Sequence, residues 1–264
     1  MTADTRRVAI VTGAGTGIGQ AIAHALCEVG VKCLAVGRRA EQLEDTRHTA
    51  PMPDDISTLP ADITDAADRA RIVAAAIERY GRIDILVNNA GISGRAHLLE
   101  YTESEWHRVM ATNVDAALFL SQAVLPAMRD AHYGRIVNVA SVFGSLTLNP
   151  DLYDSFPHDD ARGPVRQPAY HASKGALLNL TRDLAGAAAA WGVTVNAVSP
   201  GMIITDQSRE LLSDDVKHKL TSMTPLKRFG EPREIASAVR YLASEEASFV
   251  TGAELLVDGG WSIW

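Results

Sequence analysis

Tyr170 and Lys174 lie four residues apart in "PAYHASKGALLNL" (168–180), at the start of a run that reads as a helix. That spacing puts both on one helix face. A phenol beside an ammonium can trade a proton near neutral pH, provided its pKa falls from the usual value of about 10. The fall needed is roughly three units, or about 4 kcal/mol, which an ammonium about 4 Å away supplies at an effective dielectric near 20. The spacing fits two ordinary helix-surface residues equally well, so the rest of the chain has to decide.

A second candidate is the loop "VTGAGTGIGQAIAHAL" between the first strand-like and first helix-like runs. Glycines at the first, third and sixth positions would mark a generic dinucleotide loop, but the sixth is Ile18. The spacing present instead is Gly13, Gly17 and Gly19. Glycines allow a sharp turn and close approach to a pyrophosphate, and the following helix offers unpaired N–H groups. A flexible turn is the plain alternative. The second strand-like run, "VKCLAVGRRA" (31–40), lacks the acid that bonds a ribose 2′-hydroxyl and carries Arg38 and Arg39 after Gly37. A guanidinium gains from a 2′-phosphate and not from a bare hydroxyl. The pair could also be merely solvated. The reading favours NADP(H) over NAD(H).

Strand-like and helix-like runs alternate along the whole chain. "RVAIVT" (7–12), "KCLAV" (32–36), "ISTLPA" (56–61), "DILVN" (84–88), "RIVNVA" (135–140), "VTVNAV" (193–198) and "ELLVD" (254–258) are short and mostly apolar. Continuous apolar strands are buried on both faces, which implies a mostly parallel sheet. In 65–81, Ile72, Val73, Ala76, Ile77 and Tyr80 share a helix face, and Gly81 stops the helix. The expectation is an α/β, doubly wound, Rossmann-like sheet of about seven strands with helices on both faces, forming one domain over 1–264. One stretch breaks the rhythm: 149–168 holds four prolines and four aspartates in 20 residues. It cannot be a regular helix or a central strand and reads as an inserted loop.

Bulk properties narrow the function. Of the 264 residues, 47% are hydrophobic and 22% charged, with net charge −7. No basic block exists to track a nucleic-acid backbone. No apolar run reaches the ~18 residues of a membrane span, and the N-terminus carries no signal-peptide pattern. Cys27 and Cys33 read as small core residues, with no disulfide framework or metal cluster. A cytoplasmic protein without a metal is expected.

Taken in order, the motifs resemble the short-chain dehydrogenase/reductase family, in its single-domain branch, over essentially the whole chain. The glycine loop comes first, with Gly13, Thr16, Gly17, Ile18 and Gly19. "ADIT" (61–64) follows, then "NNAG" (88–91), "ATNVDA" (111–116), "IVNVASVFG" (136–144), "YHASK" (170–174), "SPGMIIT" (199–205) and "VTGAELLVDGG" (250–260). The resemblance implies that Asp62 and Ile63 contact adenine. It implies that Asn89, Ala90, Gly91, Pro200, Gly201, Ile203 and Thr205 line the cofactor path, and that Lys174 bonds the nicotinamide ribose. It makes Tyr170 the general acid/base for a carbonyl or alcohol substrate, Ser141 the holder of the substrate oxygen, and Asn113 the holder of a water joining Lys174 to solvent. By itself Asn113 would pass for a polar surface residue. A homo-oligomer, with a tetramer favoured, is also implied; Trp261 and Trp264 at the chain's end would be exposed in a monomer.

One departure stands out. About a dozen residues separate the serine from the tyrosine in most relatives, whereas 28 separate Ser141 from Tyr170. Ser145 therefore competes for the serine's role. The insertion is expected to close over the pocket through Leu152, Tyr153 and Phe156, or else to point away. Arg95, His97, Phe143 and Tyr153 are candidate pocket residues. Two alternatives to an NADP(H)-dependent ketoreductase remain: an NAD(H)-dependent sugar, polyol or sugar-acid dehydrogenase, and a non-catalytic nucleotide-sensing or scaffold protein.

Overall fold

A computed structural model describes residues 6–147, 149, 158–159, 161–205, 209 and 212–263. Seven strands form one parallel sheet: β1 (Val8–Thr12), β2 (Lys32–Gly37), β3 (Ile56–Pro60), β4 (Ile85–Asn88), β6 (Gly134–Val139), β9 (Val193–Pro200) and β10 (Glu254–Val257). Their spatial order is β10-β9-β6-β4-β1-β2-β3. All seven apolar runs became strands within a residue or two. β1 and β6 are buried at every position, as a central parallel strand requires.

Alternation along each strand divides the core in two. Ala9, Val11, Cys33, Ala35 and Val87 face α1 (Gly17–Cys27) and α8 (Pro232–Leu242). Ile10, Leu34, Val36 and Leu86 face α3 (Ala66–Tyr80), α5 (Ala116–Asp130) and α6 (Pro168–Ala188). α3 begins at Asp65, whose side chain accepts from Asp68 N, and ends at Gly81 with φ 75°. Its Ile72 and Ala76 are buried, while Ile77 is exposed, so the apolar face is narrower than the pattern suggested. Cys27 and Cys33 are both buried thiols in the first half of the core. Three further helices are α2 (Ala40–His48), α4 (Glu103–Met110) and α7 (Asp214–Met223). The run Glu103–Asp130 is long and apolar enough to cross a membrane by length and composition. Here Leu120, Val124 and Met128 of that run are packed on the sheet.

The proline-rich stretch is not wholly irregular. Its described part contains β7 (His158–Asp159) and β8 (Gly163–Arg166), which pair antiparallel. β8 also pairs with β5 (Ala96–His97), making a second sheet of order β5-β8-β7. Propensity could not reveal this, because strands this short form only when tertiary contacts supply a partner. Leu152, Tyr153 and Phe156 lie outside the described residues.

A charge cluster closes the end of the sheet where β1 and β4 begin. The Asp84 carboxylate is buried and accepts from Val8 N at 2.9 Å, Arg7 Nη1 at 3.0 Å, and Arg82 Nε and Nη2, both at 2.7 Å. Arg7 also stacks on the Tyr133 ring, 3.5 Å from its centroid. Removing the carboxylate strands a buried N–H and the Arg82 guanidinium, about a third exposed, while Arg7 keeps Glu245 Oε1 at 2.9 Å. Asp84→Ala should therefore lose about 2 kcal/mol in urea unfolding, below the usual figure for fully buried pairs. Its dinucleotide affinity should not change, and an unaltered unfolding midpoint would contradict the role assigned to Asp84.

Candidate active site

The strand order places the loops after β1 and β4 side by side, where the chain reverses its direction of growth across the sheet. A cleft of about 810 Å³ opens there. Its walls include Gly13, Gly15 and Thr16 from the first loop, Arg38 and Arg39 after β2, Asp62 and Ile63 after β3, and Asn89, Ala90 and Gly91 after β4. The glycine spacing has a steric reason. A Cβ on Gly19 would sit 2.2 Å from Gly13 O and 2.5 Å from Asn89 Nδ2. Gly13 itself has φ 64°, with Ala90 Cα 2.8 Å from where its Cβ would be. Thr12 and Asn89 knot the two loops together. Thr12 Oγ1 accepts from Asn89 N and Ala90 N, and Asn89 Nδ2 donates to Thr12 O at 2.9 Å. Asn89 thus builds the loop with its side chain and lines the cleft as well.

These walls fit a dinucleotide. Thr16 caps α1 without a side-chain hydrogen bond, and the first turn of that helix holds no acid. Its N–H groups and dipole suit a pyrophosphate. Arg38 and Arg39 are exposed, and neither forms a salt bridge among the described residues. Asp62 accepts from Thr64 N and Oγ1 at 2.9 and 2.7 Å. Those two bonds hold its carboxyl below the usual range, helped by the Arg38 charge.

The candidate catalytic residues gather beside this cleft. Tyr170 and Lys174 occupy the first two turns of α6, with Lys174 Nζ 5.7 Å from the Tyr170 ring centroid. Ser141 follows β6 beside Tyr170, and its hydroxyl draws the phenol's pKa down; its Oγ accepts from Phe143 N at 3.2 Å. Ser145 is exposed. Gly144 lets this turn lie against α6, because a Cβ there would meet Leu178 at 2.9 Å and Lys174 backbone at 3.0 Å. Gly91 stands between Lys174 Nζ and Asn113 Oδ1, each 3.4 Å from its would-be Cβ.

Two expectations need correction. Lys174 is buried and donates to Val139 O at 2.7 Å, and burial lowers its pKa to about 8. Burial also raises Tyr170, and only the Ser141 hydroxyl opposes that rise. The expected pull of Lys174 on the phenol is therefore not built into the protein alone. Asn113 is no surface residue. It sits buried in a π turn, Ala111–Asp115, joining α4 to α5. Its Nδ2 donates to Ile92 O and Ser173 Oγ, both at 2.9 Å, and its Oδ1 accepts from Ile92 N at 2.8 Å. The side chain is a clasp for the loop after β4.

The remaining candidates are spread around the site. Gly17 (φ 56°) meets Thr205, whose Cγ2 is 3.3 Å from its would-be Cβ. Ile18 packs on the core, and Pro200 is buried at the end of β9. Gly201 lies against Asp258, and Ile203 forms a parallel bridge to Gly230. Arg95 is exposed, and His97 is occupied by Gly163 O at 2.7 Å. Phe143 packs on His171 with ring centroids 5.1 Å apart. Tyr153 lies outside the described residues. Gln42, Arg108 and Thr112 also line the cleft; no spacing in the sequence links them to the glycine loop, because only the winding of the sheet brings α2 and α4 there. Among the described residues, no group of three His, Cys, Asp or Glu side chains could hold a metal ion.

A doubly wound sheet with a glycine-walled cleft at its reversal point defines a dinucleotide-binding α/β protein. Residues 7–150 match the short chain dehydrogenase family model, and 157–262 match the model described as enoyl-(acyl carrier protein) reductase. The chain is 37% identical to a 3-oxoacyl-(acyl-carrier-protein) reductase of Vibrio cholerae, over 96% of each chain. It is 38% identical to a galactitol 2-dehydrogenase (L-tagatose-forming) of Cereibacter sphaeroides, over 97% of this chain and 95% of that one. It is 34% identical to a 2-dehydro-3-deoxy-D-gluconate 5-dehydrogenase of Dickeya dadantii, with the same coverage. The crystal structure of gox2181 superposes with a TM-score of 0.89 at 31% identity, covering 99% of this chain and 98% of that one. The chain belongs to the short-chain dehydrogenase family and is an oxidoreductase.

The buried lysine makes a pH prediction. With a folded pKa of about 8 against an ordinary 10.5, the unfolded chain binds the extra proton between those values. Stability of the ligand-free protein should then rise with pH from about 8 to about 10, at up to roughly 1.4 kcal/mol per unit. Lys174→Met should remove that rise and be the more stable protein at pH 7. Parallel stability–pH curves for the two proteins would show that burial does not lower the lysine's pKa.

Proposed function

We propose that the protein is an NADP(H)-dependent oxidoreductase interconverting a ketone and a secondary alcohol, with Tyr170 as general acid/base. The observation that carries this reading is Tyr170 with the Ser141 hydroxyl and Lys174 beside it, joined to the cleft wall through Gly91. A bound nicotinamide cofactor supplies the hydride donor or acceptor. The glycine loop and the first turn of α1 hold its pyrophosphate, Arg38 and Arg39 its 2′-phosphate, and Asp62 and Ile63 its adenine. Ile203 and Thr205 hold the nicotinamide end.

Ser141 holds the substrate oxygen by hydrogen bond, and Tyr170 gives that oxygen its proton as a carbonyl becomes an alcohol. Burial keeps the phenol protonated at neutral pH, which suits the donor's part in ketone reduction. Val139 takes one of the three ammonium donors of Lys174. The other two are left for the nicotinamide ribose and for a water leading to solvent. Asn113, whose Oδ1 has a lone pair left beside its bond from Ile92 N, holds that water.

Likeness to the galactitol and 2-dehydro-3-deoxy-D-gluconate dehydrogenases supports a second reading, an NAD(H)-dependent sugar, polyol or sugar-acid dehydrogenase. A panel of acetoacetyl-coenzyme A, L-tagatose and galactitol with either cofactor, followed by nicotinamide absorbance, separates the two. The scaffold reading is weakened by the presence of both Tyr170 and Lys174.

NADPH should bind at least about tenfold tighter than NADH, a difference of about 1.4 kcal/mol. Arg38→Asp should erase or reverse that preference, and equal affinities in the unaltered protein would refute the NADP(H) assignment. Tyr170→Phe should keep the fold and cofactor affinity but lose turnover by roughly a hundredfold or more, since only a proton-transfer group is removed. Near-normal turnover in that variant would move the reaction centre elsewhere.

The protein is further expected to be a homo-oligomer, with a tetramer favoured. Trp261 does not carry this, because it packs against Val216 and Leu220 of α7, and Trp264 lies outside the described residues. The support comes from Phe249, Leu256 on the edge strand β10, and Phe119 on α5, at 102%, 46% and 45% exposure. Light scattering at micromolar concentration should give a multiple of 28.3 kDa; a particle of that mass would rule the assembly out.

A further inference from the structure

Part of the insertion is docked, and it is docked on the entrance to α6. β8 pairs with β5, setting Arg166 opposite Ala96 and Val165 opposite His97. His97 Nδ1 lies 2.7 Å from Gly163 O. A carbonyl only accepts, so Nδ1 carries the proton. Leu99 N donates to Arg162 O at 3.2 Å beside it. Gly163 has φ 75°, the left-handed region where glycine is at ease. Beyond Arg166, only Gln167, Pro168 and Ala169 precede Tyr170. Gln167 and Ala169 are buried and the φ of Pro168 is set by its ring, so little slack remains.

We infer that His97 is a positioning residue for Tyr170, acting through Gly163 and β8 on the first turn of α6. This rests on the reading of Tyr170 as the acid/base. His97 is not among the residues lining the dinucleotide cleft. Its loss therefore shows in turnover and not in cofactor affinity. Misplacing a reacting group by about 1 Å can cost up to roughly a hundredfold in rate.

The test compares His97→Phe, which fills the space but cannot donate, with His97→Asn, whose amide can donate from nearly the same place. Three quantities are measured for each: kcat with NADPH and the better substrate of acetoacetyl-coenzyme A and L-tagatose, Kd for NADPH by fluorescence, and hydrogen–deuterium exchange over residues 163–172. His97→Phe should lower kcat about tenfold, leave Kd within about twofold, and speed exchange in that segment. His97→Asn should restore both kcat and exchange to within about threefold of the parent. Should His97→Phe not fold, His97→Ala takes its place with the same expectations. Unchanged kcat, a loss confined to Kd, or an asparagine variant no better than the phenylalanine one would overturn the inference. Tyr170→Phe, run alongside, separates the two ideas. If it keeps its turnover, the acid/base reading fails; if it is inactive while His97→Phe is normal, only the positioning role fails.

Discussion

An ammonium is costly to bury, and Lys174 is held by one strong acceptor, the Val139 carbonyl at the end of β6. That bond, with Asn138 Nδ2 donating to Thr181 Oγ1 at 2.9 Å, ties α6 to β6. Since Ser141 is two residues past Val139, the same tie brings its hydroxyl to Tyr170. It also presses Lys174 toward Gly91, the residue through which the lysine reaches the cleft wall. A side chain on Gly91 would intrude on both Lys174 and Asn113. The Tyr170–Lys174 face and the cleft are therefore two sides of one packed junction.

The cleft depends on a second junction, between the loops after β1 and β4. These loops diverge because the strands that follow them lie on opposite sides of β1. Thr12 and Asn89 hold them together at their base, while Gly13 and Gly19 remove the side chains that would block the floor. Asn113 then pins the outer part of the β4 loop to the π turn. Polar groups buried in this region are spent on rigidity, which a site that must align a cofactor with a substrate needs.

The insertion alters how α6 is supported. Instead of entering α6 from a short turn, the chain passes through a strand that is paired to the loop ahead of α4. A change in that loop can then be felt at Tyr170 through a few stiff residues. The approach to α6 is thus built from two segments far apart in sequence.

What the chain determined by itself follows from local physics. Seven short, mostly apolar runs read as strands of a mostly parallel sheet, and Gly81 as the end of a helix. The glycine spacing, the Tyr170–Lys174 face and the arginines after β2 were legible because each acts within a few residues of itself. Tertiary structure decided the rest. Asn113 looked like surface until the π turn buried it against Ile92 and Ser173, residues 21 and 60 positions away. The pKa balance of Tyr170 and Lys174 reversed because desolvation is a property of the surroundings and not of the spacing. Arg108 reached the cleft, and β8 found β5, only because the winding of the sheet brought distant segments into contact, and no short-range pattern encodes a partner 60 or more residues away.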